Sequence, residues 1–288
     1  MAEAKKTIIL SDSICDLNEE LLAKYSIKLN PLSVVCGDEA KRDGIEIKPD
    51  DVYEYYNKTG KLCTTTATNV QAQFEFLKPY AKNGNEIVYF TLSSEMSSSF
   101  NNARIAAEEL ENVYVVDSWN ISTGSGLLVL TAAEMAEQGA SAKQIYDRVM
   151  QLRECVDASF VVDTLEYLHK GGRCSSIAAL GANLLKLKPC IQVKQGKMTV
   201  CKKYRGKMSD VLKTYAAERL VNPEDIYLDK IFVTHSGCDE EIINSVVETV
   251  KSTLNFENVY VSRAGCTVSA HCGPGTLGVL FIRKSPLK

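Results

Sequence analysis

The chain has 288 residues, of which 45% are hydrophobic and 24% are charged, so it can form two ordinary globular domains or one large one, with a sizeable core. A net charge of -3 is not typical of a nucleic-acid binder, which carries a strongly basic patch. No run approaches the ~20 apolar residues of a membrane span, and Thr7–Leu10 is too short for a signal peptide. We therefore expect a cytoplasmic protein with no stable membrane insertion.

The first half of the chain alternates short apolar runs with helical patterns. The predicted strands are Thr7–Leu10, Ile27–Val35, Glu86–Leu92 and Val113–Val116. The predicted helices are Asn18–Tyr25, Asp50–Tyr56, Gln71–Lys82, Asn101–Leu110, Gly126–Glu137 and Ala142–Cys155. Continuous apolar strands separated by helices favour a parallel sheet covered on both faces. We predict a Rossmann-like α/β domain over residues 1–157.

In the second half, the strands are less regularly separated by helices. The predicted strands are Ser159–Val162, Ile191–Val193, Met198–Cys201, Ile231–Thr234, Val259–Ser262 and Leu277–Ile282. Residues 194–197 read as a hairpin turn, and helices are predicted at Ser209–Arg219 and Glu240–Leu254. This pattern predicts an α+β domain with a mixed sheet over residues 158–288.

Ten cysteines are scattered along the chain without a C-x-x-C pair. A zinc or redox site would use closer pairs, so we predict neither a metal nor a cofactor. In a reducing compartment, these side chains are expected to act as small buried hydrophobes.

Small polar residues cluster in five segments, most of them beside an apolar strand. The segments are 11–13 (Ser-Asp-Ser), 64–68 (Thr-Thr-Thr-Ala-Thr), 93–99 (Ser-Ser-Glu-Met-Ser-Ser-Ser), 117–126 around Asp117-Ser118, and 271–275 (His-Cys-Gly-Pro-Gly). Ligands of open α/β sheets bind at the carboxyl ends of strands, and hydroxyl and backbone N–H groups at a helix start stabilise anions. Helix capping is the alternative role, especially for Ser13, Asp117 and Ser118.

Arginines provide candidate anion contacts at two further positions. Arg173 follows Gly171-Gly172, which is also a helix C-cap pattern, and Arg205 ends a Lys-Lys-Tyr-Arg run. Arg173 could equally be an ordinary surface cation.

Known catalytic and nucleotide motifs do not fit the sequence. The pattern Gly273-x-Gly275-x-x-Gly278 matches a dinucleotide fingerprint only literally, because a strand and then the chain end follow it. A Ser97-His271-Asp12 triad can be written down, but the sequence does not supply its geometry.

Taken in order, several of these segments resemble the DegV family over essentially the whole chain. The matching pieces are 11–13, 64–66, 92–97 (Leu-Ser-Ser-x-x-Ser), 116–118, 160–173 (Phe-Val-Val-Asp-x-Leu-x-Tyr-Leu-x-x-Gly-Gly-Arg), 187–189 (Leu-Lys-Pro) and 271–275 (His-x-Gly-Pro-Gly). Each piece alone is weak, whereas seven in the family's order and spacing are strong.

The resemblance implies a protein that buries one fatty acid, such as palmitate, stearate or oleate, between two α/β domains, and that is not itself an enzyme. In some family members, a separate fatty acid kinase phosphorylates the bound carboxylate for phospholipid synthesis. By the same resemblance, the carboxylate is bound by Thr65, Thr66, Ser97, Ser98 and His271. Arg173 and Arg205 would then contact the phosphoryl group or the kinase. The acyl chain would lie in an apolar tunnel. The candidate lining residues, each of which could instead be an ordinary core residue, are Leu127, Leu128, Leu180, Leu184, Leu185 and Leu187.

Two segments depart from the family pattern. Thr65-Thr66-Ala67-Thr68 stands where the family often has Thr-Ser-Gln-Pro, and Ser97-Ser98-Ser99 stands where it has Ser-Gly-Thr. A threonine hydroxyl still donates a hydrogen bond. Two rival functions remain open, namely a lipid carrier or sensor without a kinase partner and an acyl hydrolase that uses Ser97 with His271.

Overall fold

The computed structural model describes residues 6–174 and 187–287. The strands are β1 Thr7–Asp12, β2 Lys28–Asn30, β3 Ser33–Cys36, β4 Glu39–Arg42, β5 Thr64–Thr66, β6 Glu86–Thr91, β7 Val113–Asp117, β8 Val156–Val161, β9 Leu187–Lys194, β10 Lys197–Arg205, β11 Ile226–Ser236, β12 Asn258–Arg263 and β13 Thr276–Arg283. The helices are α1 Glu19–Lys24, α2 Pro49–Thr59, α3 Val70–Leu77, α4 Ser99–Ala107, α5 Thr123–Glu137, α6 Ala142–Leu152, α7 Glu166–Gly171, α8 Met208–Arg219, α9 Glu240–Thr253 and α10 Cys266–Cys272.

The predicted fold class is confirmed in both halves. The first half forms a parallel sheet in the order β2-β1-β6-β7. The second half forms a six-stranded sheet in the order β10-β9-β8-β13-β11-β12. In this sheet β11 and β12 are parallel and the other neighbours are antiparallel, so the sheet is mixed.

Helix α5 lies between the two sheets and joins their cores. Its residues 123–130 are all buried, and it packs against β1 and β6 on one side and β8 and β13 on the other. A helix that is apolar all round is expected in such an interior position. The outer face of the parallel sheet packs on α3 and α4, and that of the mixed sheet packs on α8 and α9.

The prediction of a single strand over Ile27–Val35 is wrong, because the chain changes sheets in the middle of that run. Residues up to Asn30 pair with β1, whereas β3 begins at Ser33 and joins a separate three-stranded sheet in the order β4-β3-β5. Pro31 lies at the change, where a proline interrupts strand pairing since it has no N–H.

The prediction that every cysteine acts as a separate buried hydrophobe is wrong for Cys36 and Cys63, which are paired, and for Cys201, which is exposed. Cys36 and Cys63 form a disulfide across 27 positions of the sequence, with a Cα–Cα distance of 4.4 Å. The antiparallel register of β3 and β5 pairs Val35 with Thr64, which places these two cysteines opposite each other. Of the remaining cysteines, six are buried, Cys238 is partly buried and Cys201 is exposed.

The predicted domain boundary between residues 157 and 158 falls within β8, two residues after that strand begins. Among the helices of residues 6–174 and 187–287, none has the length and apolar character needed to cross a membrane.

Candidate functional site

A cavity of about 120 Å³, here called the head pocket, collects all five of the predicted carboxylate-binding residues. Its lining consists of Leu32, Thr65, Thr66, Ala67, Leu92, Met96, Ser97, Ser98, Ile121, Arg173, Met198, Thr267 and His271. The five predicted carboxylate ligands therefore lie around one space, although they come from three distant parts of the chain.

Thr65 and His271 are joined directly across this pocket. The Oγ1 atom of Thr65, on β5, lies 2.9 Å from Nε2 of His271, on α10. His271 is only 8% exposed, and burial lowers its pKa to about 4, with the positive charge of Arg173 adding to the effect. The imidazole is therefore neutral at physiological pH and acts in hydrogen bonding without a net charge.

The second wall of the pocket is the serine-rich turn that precedes α4. The Ser97 hydroxyl lies 3.1 Å from that of Ser99 and accepts a hydrogen bond from the Ser99 N–H. Ser98 is the residue before the helix, and its side chain makes no capping hydrogen bond. Helix-start N–H groups and the positive end of the helix dipole favour an anion at this position.

Two buried carboxylates hold this turn in place without lining the pocket. Asp12 accepts the N–H of Leu92 at 2.7 Å, and Asp117 accepts both the N–H and the hydroxyl of Ser94. Burial raises the pKa of Asp12 to about 7. Both side chains therefore support the turn, and the contacts of Asp117 with Ser94 differ from the helix capping that the sequence left open for it.

A second cavity of about 30 Å³, here called the tail cavity, lies between the two residues before α5, helix α10 and the mixed sheet. It is lined by Ile121, Ser122, Ala158, Phe160, Val193, Thr234, His235, Ser236, Ala264, Val268, Cys272, Thr276, Gly278 and Leu280. Ile121 lines both cavities, so the tail cavity adjoins the head pocket at this side chain. Two non-glycine residues with positive φ, Trp119 and Ser122, lie close to Ile121 in the chain.

The two predicted arginines differ in position. Arg173 lines the head pocket, and its guanidinium donates to the Gly171 carbonyl at 2.7 Å. Arg205 is the last residue of β10 and is exposed, and it does not line the head pocket. Within the described ranges, no group of three or more His, Cys, Asp or Glu residues is arranged to hold a metal ion.

The leucines predicted to line the tunnel lie elsewhere or outside the described ranges. Leu127 and Leu128 are fully buried in the core on α5, and they line neither cavity. Leu187 is half-buried at the start of β9 and is absent from both linings, whereas Leu180, Leu184 and Leu185 lie outside the described residues.

Several lining residues escaped the sequence reasoning. Ile121, Met96 and Met198 carry no motif, since an apolar side chain beside a cavity looks the same in sequence as one in the core. Helix α10 was also missed, and residues 271–275 were taken as a loop, although His271 lies in the last turn of this helix. The threonine run at 64–66, also predicted as a loop, forms β5.

Comparison with known proteins agrees with this α/β architecture. The family model described as "Uncharacterised protein, DegV family" matches residues 6–284. A DegV domain-containing protein of Caldanaerobacter subterraneus subsp. tengcongensis is 30% identical over 283 residues, covering 97% of this chain and 100% of that protein. The chain therefore belongs to the DegV family.

Solved structures show the same fold in proteins that bind fatty acids. A fatty acid-binding DegV family protein from Thermus thermophilus matches with a TM-score of 0.87 and 26% identity, covering 96% of this chain and 99% of that one. A stearic acid-binding protein from Eubacterium ventriosum matches with a TM-score of 0.82 and 28% identity, covering 96% and 98%. Both relatives are described as fatty acid-binding proteins, in agreement with the prediction of a binding protein.

Proposed function

We propose that this protein binds one long-chain fatty acid, such as palmitate, stearate or oleate. The carboxylate occupies the head pocket and the acyl chain runs past Ile121 into the tail cavity. The observation that carries the proposal is the contact between a pocket lined by hydroxyl groups and an adjoining apolar cavity. The fatty acid-binding relatives of the same fold support it.

The two parts of the site contribute differently to binding. Each buried methylene contributes ~0.8 kcal/mol, so a tail of about 16 carbons supplies roughly 11 kcal/mol before the costs of binding are subtracted. Each polar head contact is worth ~1–3 kcal/mol. The tail therefore sets the affinity, while the hydroxyl groups set the orientation of the carboxylate.

The head pocket suits a carboxylate because it offers uncharged donors. The hydroxyls of Thr65, Thr66, Ser97 and Ser98 line it, and the imidazole of His271 is neutral. A neutral donor set can hold the carboxylate without a buried ion pair, which would carry a larger desolvation cost.

The finer proposal is that the bound carboxylate is presented to a separate fatty acid kinase, which forms an acyl phosphate for phospholipid synthesis in the cytoplasm. Arg173 supports it because this exposed arginine lies at the head pocket, where a transferred phosphoryl group would arrive. Arg205 is exposed as well and is assigned to kinase contact.

The binding proposal is tested by native mass spectrometry of the full chain as purified, followed by lipid extraction. We expect one fatty acid per protein, and we expect the delipidated protein to take up palmitate with one-to-one stoichiometry. A protein that purifies empty and takes up no fatty acid would contradict the proposal.

The kinase proposal is tested separately, with a fatty acid kinase catalytic subunit, ATP and palmitate-loaded protein. Arg173→Ala and Arg205→Ala should slow acyl phosphate formation about tenfold or more and change palmitate affinity less than twofold. Arg42→Ala, which alters an exposed ion pair with Glu46, is the matched control. Normal phosphorylation by both variants would contradict the roles assigned to these arginines. No acyl phosphate from the wild-type protein would favour a carrier or sensor without a kinase partner.

A hydrolase is disfavoured by the geometry. The nearest polar partner of the Ser97 hydroxyl is Ser99, and His271 is bonded to Thr65. The Nδ1 atom of His271 has no hydrogen-bond partner within the described part of the chain, so no carboxylate orients the ring as in a triad.

A further inference from the structure

Helices α7 and α10 approach each other through a reciprocal pair of glycine contacts. A Cβ atom built on Gly171, the last residue of α7, would lie 2.5 Å from Nδ1 of His271 on α10. A Cβ atom built on Gly273, the residue after α10, would lie 2.6 Å from the ring of Tyr167 on α7. Each helix therefore places an aromatic ring where the other has no side chain.

The backbone does not explain why residue 171 is glycine. Gly172 and Gly273 have positive φ values of 68° and 75°, which favour glycine, whereas Gly171 has no positive φ. In a helical residue with ordinary dihedral angles, alanine is preferred over glycine. The contact with His271 supplies a steric reason for the glycine.

Gly171 also contacts the arginine at the head pocket. Its carbonyl accepts the Arg173 guanidinium at 2.7 Å, while its Cα faces the imidazole of His271. One residue without a side chain thus lies between the two ionisable groups of the head pocket.

The position of Gly171 bears on which nitrogen of His271 carries the proton. The Nδ1 atom is buried against Gly171 and has no acceptor within the described residues, so a proton on Nδ1 would be a buried donor without a partner. The proton is better placed on Nε2, which then donates to Thr65 Oγ1. The Thr65 hydroxyl hydrogen is left to donate to a carboxylate oxygen.

We infer that Gly171 is a positioning residue for carboxylate binding, because it holds the His271 ring where Nε2 meets the Thr65 hydroxyl. A methyl group at position 171 forces the buried ring to shift, and the hydrogen bond to Thr65 is lost or misaligned. This inference rests on the proposed function in so far as Thr65 binds the fatty acid carboxylate.

The test compares Gly171→Ala with wild type in the delipidated full chain, using palmitate and hexadecan-1-ol as probes. The two probes share the same tail, but only palmitate has a carboxylate. We expect Gly171→Ala to weaken palmitate binding about tenfold and hexadecan-1-ol binding less than twofold, with a melting temperature that is lowered but still shows a folded protein. Lys170→Ala, which changes only an exposed ion pair with Glu166 on the same helix, should behave as wild type.

A double-mutant cycle separates positioning from a general effect on the helix. In the His271→Ala background there is no ring to displace, so adding Gly171→Ala should cause no further loss of palmitate affinity. Normal palmitate binding by Gly171→Ala would overturn the inference. A loss that is equally large with and without His271 would also overturn it.

A measurement without ligand keeps the inference separate from the proposed function. The ¹⁵N resonances of the His271 imidazole in the empty protein should show the proton on Nε2 in wild type and in Lys170→Ala, and should change in Gly171→Ala. Identical resonances in all three proteins would refute the positioning role. If wild type binds no palmitate but these resonances change as expected, the proposed function fails and the positioning of His271 by Gly171 stands.

Discussion

The head pocket and the tail cavity adjoin at Ile121 but are built in different ways. The head pocket takes its polar groups from short elements, the three-residue strand β5, the turn before α4 and the seven-residue helix α10. The tail cavity lies against the long strands of the mixed sheet, α10 and the two residues before α5. The contrast shows that the polar groups depend on the packing of short elements from distant parts of the chain, whereas the apolar walls come mainly from one continuous sheet.

The largest expected effect on ligand binding comes from closing the space beside Ile121, where the two cavities adjoin. Ile121→Trp should weaken palmitate and hexadecan-1-ol about equally, by about a hundredfold or ~2.7 kcal/mol, because the tail can no longer reach its cavity. Isothermal titration calorimetry with both probes checks this, and Ile121→Val is the matched control. If Ile121→Trp binds palmitate normally, the tail does not pass Ile121.

The next effect concerns the disulfide between Cys36 and Cys63, which lies next to β5. Replacing both Cys36 and Cys63 by alanine opens a loop with a sequence separation of 27, and should lower the free energy of unfolding by ~3 kcal/mol. Urea denaturation measures the change, with the exposed Cys201→Ala as control. Because Cys63 directly precedes β5, which carries Thr65 and Thr66 of the head pocket, palmitate affinity should fall more than hexadecan-1-ol affinity. Equal stability of the double variant and wild type would show that the pair contributes no constraint.

A smaller effect separates the head group from the tail. Thr65→Val keeps the side-chain shape but removes the hydroxyl, so it should weaken palmitate binding by ~1.5 kcal/mol or about tenfold and leave hexadecan-1-ol binding unchanged. Thr64→Val is the control, since Thr64 is exposed on the same strand and does not line the pocket. Similar losses in both variants would point to a disturbed strand instead of a lost head contact.

The last prediction concerns stability instead of binding, namely a pH dependence that arises from Asp12, which supports the turn beside the head pocket. The pKa of Asp12 is raised from 3.8 to about 7, so the folded protein binds this proton more tightly than the unfolded chain does. Its contribution to stability is therefore present below pH ~4 and falls as the pH rises to about 7. Asp12→Asn should remove this pH-dependent loss of stability, as measured by urea denaturation at several pH values.

The comparison with Asp12→Asn is needed because other groups act in the opposite direction. Burial lowers the pKa of His235 and His271 to about 4, so their contribution rises as the pH increases from about 4 to 6.5. Only the difference between the stability of the variant and that of wild type, taken at each pH, reports the titration of Asp12. Parallel pH curves for the two proteins would contradict the assigned titration.

The sequence predicted the main sheets well, because their strands are local apolar runs. The run around Ile87 became β6, and its residues 87–91 are all buried in the parallel sheet. The run around Ile231 became part of β11, which joins the mixed sheet. The division into domains at residues 1–157 and 158–288 stays a prediction.

The candidate site was predicted in part, by its hydroxyl groups and by the family resemblance. Thr65, Ser97 and His271 do line one pocket, whereas Arg205 lies away from it. The tunnel leucines were misplaced, since Leu127 and Leu128 have the same apolar character as cavity-lining residues but pack in the core. The role of the head-pocket residues as ligand contacts stays a prediction that the experiments above test.

By itself, the sequence determined the order of helices and strands, the parallel and mixed character of the two sheets, and the kinds of side chain available for a head group. These properties depend on residues that are close in sequence, so the local pattern of residue types is enough to predict them. Only the tertiary structure decided that Thr65 meets His271 across 206 positions, that Cys36 meets Cys63, and that space remains beside Ile121. Such contacts and cavities arise where distant elements pack, and no local pattern specifies the gap between them.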